Sequence, residues 1–221
     1  MTRICKRMLA AVTALALTGG AASGIVLAAG MGNMGGMGGM KMGPMPKHLP
    51  KPGKPIHYTV ARPLIKYSNS EGMLMGHGKH KSVMFMGHNI HMVIIAVEPG
   101  SPDQTFEIHK LVDPKLTVPA GANITLTILN MDYGPGMIHG VIIGKAQPPY
   151  KTVVPVPVPG QIAEIPLTMP RTAKSIKKSN YYFGTTTFKA PGTPGTYYYL
   201  CQMPGHAKAG MYGKFVVTGS E

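Results

Sequence analysis

Glycine and proline recur along the whole chain and limit the length of every helix that it can form. Of the 221 residues, 29 are Gly and 21 are Pro. Proline removes a backbone hydrogen-bond donor and glycine lowers helix stability, so helical-repeat arrays and coiled coils are excluded. Short strands joined by many turns remain as the expected architecture.

The chain begins with the layout of an export signal. Arg3, Lys6 and Arg7 precede an uncharged run from Met8 to Gly30 that ends in small residues. A basic start, an apolar middle and small residues at the end are typical of a secretory signal peptide. We therefore predict that residues 1–30 are a signal peptide. An uncleaved membrane anchor is the alternative, because the run is long enough to span a bilayer.

The charged residues are few and mostly basic. Lys and Arg number 22 against 8 Asp and Glu, which gives a formal net charge of +14. The basic residues are spread singly and form no stripe interleaved with aromatics, so we expect no nucleic-acid partner. Because acid denaturation works largely by protonating paired carboxylates, a chain with so few of them is expected to tolerate low pH.

Residues 31–56 are predicted to be a flexible, disordered linker, because their Met, Gly and Pro composition supplies no core. Two interpretations of its methionines stay open. The first is a low-complexity tether. The second is a collector of Cu(I), which soft thioether ligands favour. The candidate secondary copper contacts in this linker are Met31, Met34, Met37, Met40, Met42 and Met45.

A second cluster of Met and His lies between residues 73 and 92. Ser82–Met86 and Ile90–Val97 are predicted to be two strands joined by a tight turn. On that interpretation the Met side chains of this region pack in the protein rather than bind metal. His77 and His80, in a glycine-rich loop, stay open as further candidate secondary copper contacts.

Residues 57–221 are predicted to form one all-β domain, a Greek-key antiparallel β-sandwich, because short apolar runs alternate with turn residues. The stretch Gln147–Lys178, rich in Pro and Lys, is expected to be a long surface excursion. The other expected extended segments are 116–118, 123–129, 142–143, 152–158, 181–188, 196–200 and 214–218.

One loop near the C-terminus carries three metal-binding side chains at equal spacing. Cys201, His206 and Met211 lie five residues apart between two predicted strands. A thiolate, an imidazole and a weak thioether, joined by a second His from an earlier strand, form the blue-copper electron-transfer site. The best candidate for that second imidazole is His139. The sequence therefore predicts a site for one copper ion with these four ligands.

Two alternatives compete with copper at this loop. The first is a buried structural Cys with an incidental His and Met. It leaves unexplained why Cys201, the one Cys after residue 30, would stay a free thiol in an exported protein. The second is zinc, which does not usually take Met as a ligand.

Several longer runs carry a resemblance to a known family. They read AVEPG, TFEIHK, LTVPAGANITLTILN, HGVIIGKAQPPY and FGTTTFKAPGTPGTYYYLCQMPGHAKAGMYGKFVV. Over residues 82–218 the chain resembles the rusticyanin family of cupredoxins, blue copper proteins of acidophilic iron-oxidising bacteria. The resemblance implies a cupredoxin-like fold and one type 1 copper bound by His139, Cys201, His206 and Met211. Gly140 departs from the family, which carries a polar side chain after the first ligand.

The resemblance also implies a function and a location. It implies a periplasmic, acid-stable electron carrier in an acidophile respiratory chain that oxidises iron or sulfur. Its partners would be cytochrome c or other periplasmic redox proteins, and the membrane surface if residues 1–30 are retained. We expect a monomer. We also expect no catalytic residues, because a copper enzyme needs a second metal site and the chain has no His-x-His pair. The alternative function is copper storage or delivery by the Met- and His-rich N-terminal segments.

Overall fold

The structure of the protein, a computed structural model, describes residues 49–76 and 82–219. Within these residues, thirteen strands form two sheets that enclose a common core, with three short helices. The predicted Greek-key β-sandwich is confirmed as the fold class. In this described part of the chain, no helix is long and apolar enough to cross a membrane. The predicted signal peptide and most of the predicted linker lie outside the described residues.

The first sheet has six strands and carries the longest strand pairings of the fold. Its centre is β8, which is paired along its whole length with both neighbours. In spatial order the strands are β1 (Ile56–His57), β11 (Asn180–Lys189), β8 (Asn123–Asn130), β4 (Asn89–Ala96), β5 (Phe106–Ile108) and β6 (Leu111–Val112).

The second sheet has seven strands and holds the C-terminal strands at its middle. In spatial order they are β10 (Ala163–Thr168), β9 (His139–Gly144), β12 (Gly195–Leu200), β13 (Tyr212–Thr218), β7 (Lys115–Pro119), β3 (Ser82–Met84) and β2 (Met73–Met75). The edges are therefore β10 and β2.

The sheets are mixed rather than purely antiparallel. The pairs β13–β7, β3–β7 and β4–β8 run parallel, and the other pairs are antiparallel. The expectation of an antiparallel sandwich is wrong in this respect. Its basis was the alternation of apolar and polar residues, which reports the buried face of a strand and carries no information on the direction of its neighbour.

The two strands predicted on either side of residue 88 exist, but they do not form a hairpin. β3 pairs with β2 and β7 in the seven-stranded sheet, whereas β4 pairs with β5 and β8 in the six-stranded sheet. His88 lies in the connection that crosses between the sheets, where its carbonyl accepts a hydrogen bond from the Asn123 amide at 2.7 Å. A short glycine-containing connection therefore serves here as a crossover between sheets.

The side chains of alternate strand residues point inward and form the core between the two sheets. In β8, Ile124, Leu126 and Ile128 face inward and are fully buried. They pack with residues of the second sheet such as Phe215 and Tyr199. Because successive strand side chains point to opposite faces, one face of β8 supplies this core while the other faces outward.

A helix that the sequence interpretation omitted covers the outer face of the six-stranded sheet. This helix, α1 (Tyr58–Ser68), buries Ala61, Leu64 and Tyr67 against outward-facing residues of β4 and β8. Pro63 lies inside it. The apolar spacing of three residues was a readable helix signal, but the proline content of the segment argued against a helix. The strand β1, which precedes α1, begins at Ile56, the last residue of the predicted linker.

The stretch Gln147–Lys178, predicted to be a surface excursion, contains one strand and one helix. Within it, β10 pairs with β9 and α2 (Ala173–Lys177) follows. The stretch 152–158, expected to be a strand or an extended segment, forms no strand, and its described residues are bends and irregular backbone. Pro155 and Pro157 have no backbone N–H group to donate to a neighbouring strand there. β10 accommodates Pro166 because it is an edge strand with an irregular register.

Candidate metal centre

Four side chains predicted as ligands are brought to one end of the seven-stranded sheet. Cys201 directly follows β12, His206 opens the short helix α3 (His206–Ala209), and Met211 directly precedes β13. His139 is the first residue of β9, the neighbour of β12. Because β12 lies between β9 and β13, residues at these strand ends meet at one pole of the sandwich.

Backbone hydrogen bonds close the loop that carries three of these residues. The Cys201 amide donates to the Met211 carbonyl at 3.1 Å, and the Met211 amide donates to the His206 carbonyl at 3.0 Å. The His206 amide in turn donates to the Met203 carbonyl at 3.1 Å. The eleven-residue loop, 201–211, is thus fixed by its own backbone, and its side chains are positioned before any metal binds.

Three donor atoms converge within this pole. Cys201 Sγ lies 3.9 Å from His139 Nδ1 and 3.7 Å from His206 Nδ1, and the two Nδ1 atoms are 3.2 Å apart. All three side chains are buried. Met211 is fully buried in the same core cluster as Cys201.

These separations fit a metal ion at the centre of the three donors. With metal–nitrogen bonds of about 2.0 Å and metal–sulfur bonds of about 2.3 Å, a trigonal plane places the nitrogens about 3.5 Å apart and each about 3.7 Å from sulfur. The observed distances scatter around these values. A set of two imidazoles, one thiolate and a nearby thioether has the composition of a blue-copper site.

Asp132 fixes the orientation of His139. The Nε2–H of His139 donates to Asp132 Oδ2 at 2.8 Å, and both side chains are buried. The other oxygen of Asp132 accepts from the Tyr133 amide at 2.7 Å. With its proton held on Nε2, the imidazole presents the lone pair of Nδ1 to the centre.

Asn130 ties this carboxylate to the surrounding strands. Its side-chain amide donates to the carbonyls of Met137 and Thr168 at 3.0 and 2.9 Å, and its Oδ1 accepts from the Asp132 amide at 3.0 Å. Nothing in the ligand spacing singles out Asp132 or Asn130. Their one sequence signal is a carboxylate seven residues before His139 in a chain that has only eight acidic residues.

Burial shapes the protonation of the three donors. It raises the pKa of the Cys201 thiol to about 11, although backbone amides of Gly140 and Met203 donate to the sulfur and oppose the rise. Burial also lowers the pKa of His139, against the opposing effect of Asp132. The pKa of His206 is lowered by burial and by the neighbouring His139. The imidazoles are therefore held neutral and ready to ligate, while the thiol proton leaves when a metal binds.

Gln202 occupies the space beside Gly140. A Cβ atom at Gly140 would lie 2.7 Å from the Gln202 side-chain amide and 2.7 Å from the Ile165 carbonyl. The Gln202 amide donates to that carbonyl at 3.1 Å. Glycine is required here by close packing, since the side chain of a neighbouring residue fills the volume that a larger residue would need.

The candidate secondary copper contacts have mixed outcomes. Those in the linker, and His77 and His80, lie outside the described residues and stay predictions. The expectation that the methionines between 73 and 92 pack in the protein holds for Met92, which is fully buried. It is wrong for Met73, Met75 and Met86, whose exposed fractions are 50%, 39% and 52%. They lie at an edge of the second sheet, where few neighbours cover them.

Comparison with known proteins places the chain in a family. A family model described as the sulfocyanin (SoxE) domain matches residues 79–220. Rusticyanin of Acidithiobacillus ferrooxidans is 41% identical over 136 residues, which are 62% of this chain and 67% of that protein. Rusticyanin of Acidithiobacillus ferridurans is 40% identical over the same shares of the two chains.

Solved structures agree with this placement. The structure of rusticyanin from Thiobacillus ferrooxidans covers 77% of this chain and all of that one, with 31% identity and a TM-score of 0.59. Another rusticyanin structure, described as that of a copper protein, covers 75% of this chain and 97% of that one, with 32% identity and a TM-score of 0.58. The resemblance to rusticyanins is confirmed, and the chain belongs to the sulfocyanin (SoxE) family of cupredoxins.

Proposed function

We propose that the protein is a type 1 copper electron carrier whose ligands are His139, Cys201, His206 and Met211. The observation that carries this proposal is the convergence of Cys201 Sγ and two imidazole Nδ1 atoms, 3.2–3.9 Å apart, in a buried site. Copper bound there supplies a one-electron Cu(I)/Cu(II) couple. The chain contributes ligands, a fixed geometry and exclusion of water.

Each ligand has a distinct role. The Cys201 thiolate and the imidazoles of His139 and His206 would hold the copper ion. Met211 would supply a weak thioether donor, whose identity would tune the reduction potential. Amide donors from Gly140 and Met203 to the sulfur withdraw electron density from the thiolate, which favours the reduced state. Since Asp132 and the loop backbone fix the donors, little rearranges when the oxidation state changes.

The electron leaves through the edge of His206 that lies nearest to the surface. Met203 and Gly205 are half-buried and Pro204 is exposed, so small and apolar groups surround this imidazole. The Gly205 amide donates to the Thr152 carbonyl at 2.6 Å, which brings exposed Val153 beside the same patch. An apolar, weakly hydrated surface of this kind suits brief docking of a redox partner.

The partner class follows from this patch and from the family. We assign cytochrome c or another periplasmic redox protein as donor and acceptor, in an acidophile respiratory chain that oxidises iron or sulfur. The carrier works as a monomer and is not an enzyme. The membrane surface is a further contact if residues 1–30 are retained. Periplasmic placement is supported by the signal-like start of the sequence and by the rusticyanin relatives.

One equivalent of Cu(II) added to the purified protein tests the metal centre. We expect an intense blue absorption from the thiolate-to-copper transition, which ascorbate or ferrous iron bleaches with one electron per chain. The copper content should be one ion per chain in this coloured state. A colourless protein that still takes up several Cu(I) ions would overturn the proposal and favour copper storage by the methionine-rich segments.

A further inference from the structure

The methionines of the β2–β3 edge share one outward face. Met73 pairs with Met84 and Met75 pairs with Ser82 in the antiparallel register. Residues directly opposite each other in such a pair project to the same side of the sheet. Val83, the alternate residue of β3, is fully buried in the core, so its neighbours Met84 and Ser82 project outward.

The same face continues beyond β3. The Phe85 amide donates to the Thr117 carbonyl at 2.8 Å, so the chain stays extended along β7 after Met84. Phe85 is buried in the core, which places Met86 on the side of Met84. We call Met73, Met75, Met84 and Met86 the methionine face.

Exposure of these side chains is concentrated at this edge. Four methionines of the described residues are exposed, and Met73, Met75 and Met86 are three of them; Met169 is the fourth. Methionine is an apolar residue that usually fills core gaps, so three exposed copies on one short edge are not explained by packing. The edge strand β2 has no partner on its outer side among the described residues.

An imidazole joins the methionine face at one end. Met84, Met86 and His88 line a cleft of about 310 Å³ together with Pro119 and Thr218. His88 is exposed in the crossover between the sheets, and its ring is free of protein hydrogen bonds among the described residues.

The residues that line the cleft carry no carboxylate or ammonium group. On β7, Thr117 lies opposite Met84, and Lys115 lies opposite Ser82, two strands away from Met75. A metal cation in the cleft therefore meets neutral donor groups among its lining residues.

We propose that the cleft end of the methionine face binds one soft monovalent metal ion, Cu(I) or Ag(I), through the thioethers of Met73, Met84 and Met86 and the imidazole of His88. Neutral thioethers select Cu(I) over harder or divalent ions, and imidazole is a common partner ligand. The opposed Cβ atoms of Met73 and Met84 are about 5 Å apart in such a pair, within reach of two flexible thioethers on one ion.

This site is separate from the metal centre. β13 runs from Tyr212, next to Met211, to Thr218, which lines the cleft. At about 3.3 Å per residue, the two ends of this strand are about 20 Å apart. The methionine face therefore adds a second metal position at the opposite pole of the sandwich, distinct in both place and chemistry.

Silver(I) binding followed by methionine methyl NMR tests the proposal. The full chain is labelled with [¹³C-methyl]methionine, its metal centre is filled with copper and reduced, and Ag(I) is added up to two equivalents. We expect the methyl signals of Met73, Met84 and Met86 to shift together, while that of Met211 stays in place. Displacement of Met211 instead would show silver entering the metal centre and would overturn the proposal.

Matched leucine variants make the test quantitative. The Met73→Leu/Met84→Leu/Met86→Leu variant keeps side-chain volume and removes three thioethers, and Met169→Leu removes an exposed thioether elsewhere. We expect the triple variant to bind one Ag(I) fewer per chain than the Met169→Leu control, in competition with a chromophoric Cu(I) or Ag(I) chelator. Equal binding by both variants would overturn the proposal and leave the face as an apolar docking surface.

The linker methionines are present in both variants, so their binding cancels in the comparison. Far-UV circular dichroism establishes that each variant is folded. If the triple variant does not fold, the methyl shifts of the unsubstituted protein decide the question, because they require no substitution. Since these readouts do not depend on blue absorption, failure of the methionine face and failure of the metal centre are distinguishable.

Discussion

The two poles of this sandwich present sulfur and imidazole ligands in opposite settings. At the metal centre, Cys201 and His139 are fully buried, and Asp132 and backbone amides fix their positions. At the methionine face, Met73 and Met86 are about half exposed. The contrast separates a rigid site, suited to electron transfer without rearrangement, from an open one suited to exchange of ions.

The difference comes from the elements that carry the ligands. Three of the metal-centre residues lie on a loop between two central strands of the second sheet, and the fourth opens a third central strand. The methionine face lies on β2, on β3 and on the residues that directly follow β3, near the sheet edge. Central strands bury the residues at their ends, whereas an edge leaves one side of each residue open to solvent.

Removing the thiolate is expected to have the largest effect at either pole. Cys201→Ser should abolish the blue absorption, because the hydroxyl oxygen is a harder ligand that gives no thiolate charge transfer. The measurement is the visible spectrum after addition of one equivalent of Cu(II). Silver binding by the methionine face should stay unchanged in this variant. Retention of the blue colour would contradict the assigned ligand set.

Loss of the Asp132 carboxylate is expected to have the next largest effect. Asp132→Ala should lower copper affinity about 10–100-fold, because the ring of His139 loses the partner that fixes its tautomer and orientation. Asp132→Asn is the control, since its side-chain oxygen still accepts from Nε2 while the negative charge is gone. It should restore most of the affinity and raise the reduction potential. Affinity titration and voltammetry measure the two effects.

The two poles can be compared in acid only if the sandwich stays folded at low pH. Its buried carboxyl groups favour the folded state at low pH. Burial raises the pKa of Glu107 from 4.5 to about 7, against hydrogen bonds from Thr105 and the Glu98 amide. Burial likewise raises the pKa of Asp113 to about 8 and that of Glu71 well above its usual range. The folded protein therefore holds these protons more tightly than the unfolded chain does.

The sign of the pH dependence follows. Below about pH 3 the carboxyls are protonated in both the folded and the unfolded state, and the full stability is present. As pH rises to about 8, the unfolded state releases these protons first, so the free energy of unfolding falls. The contribution of Glu107 alone is on the order of 2–3 kcal/mol. Denaturant unfolding at pH 4, 6 and 8 measures this fall.

A glutamine variant isolates the contribution of Glu107. Glu107→Gln keeps the shape of the side chain and cannot ionise, so its stability should depend less on pH than that of the unsubstituted protein. The Glu164→Gln variant, on β10, is the control, and we expect it to keep the pH dependence of the unsubstituted protein, since the side chain of Glu164 is only half-buried. Stability that rises between pH 4 and pH 8 would contradict the prediction.

The smallest expected effect is that of a methionine-face substitution on the free energy of unfolding of the protein. Met86→Leu should change the free energy of unfolding by no more than about 0.5 kcal/mol, because the side chain is exposed. Dilute peroxide should oxidise Met73 and Met86 before Met92 and Met211, which are fully buried. Peptide mapping by mass spectrometry follows the order. Oxidation of Met92 before Met73 and Met86 would contradict the prediction that exposure sets the order of oxidation.

Sequence reasoning succeeded where the information is local. The spacing of Cys201, His206 and Met211 along one loop identified three of the candidate ligands, since a short loop brings its own residues together. Alternation identified β8 as a strand with one face in the core, although both of its faces are largely buried, and glycine and proline excluded long helices. It failed at α1, where Pro63 obscured an amphipathic helix, and at 152–158, where prolines prevent a strand.

The sequence by itself thus determined the fold class and the loop of candidate ligands, because composition, periodicity and short spacing are local properties of a chain. Only the tertiary structure decided which strands run parallel, that Asp132 holds His139, and that Met73 and Met84 face outward as a pair. Strand direction, the partner of a buried imidazole and the exposure of an edge all depend on residues distant in sequence. No local pattern records those contacts, because they form only when the two sheets close around their core.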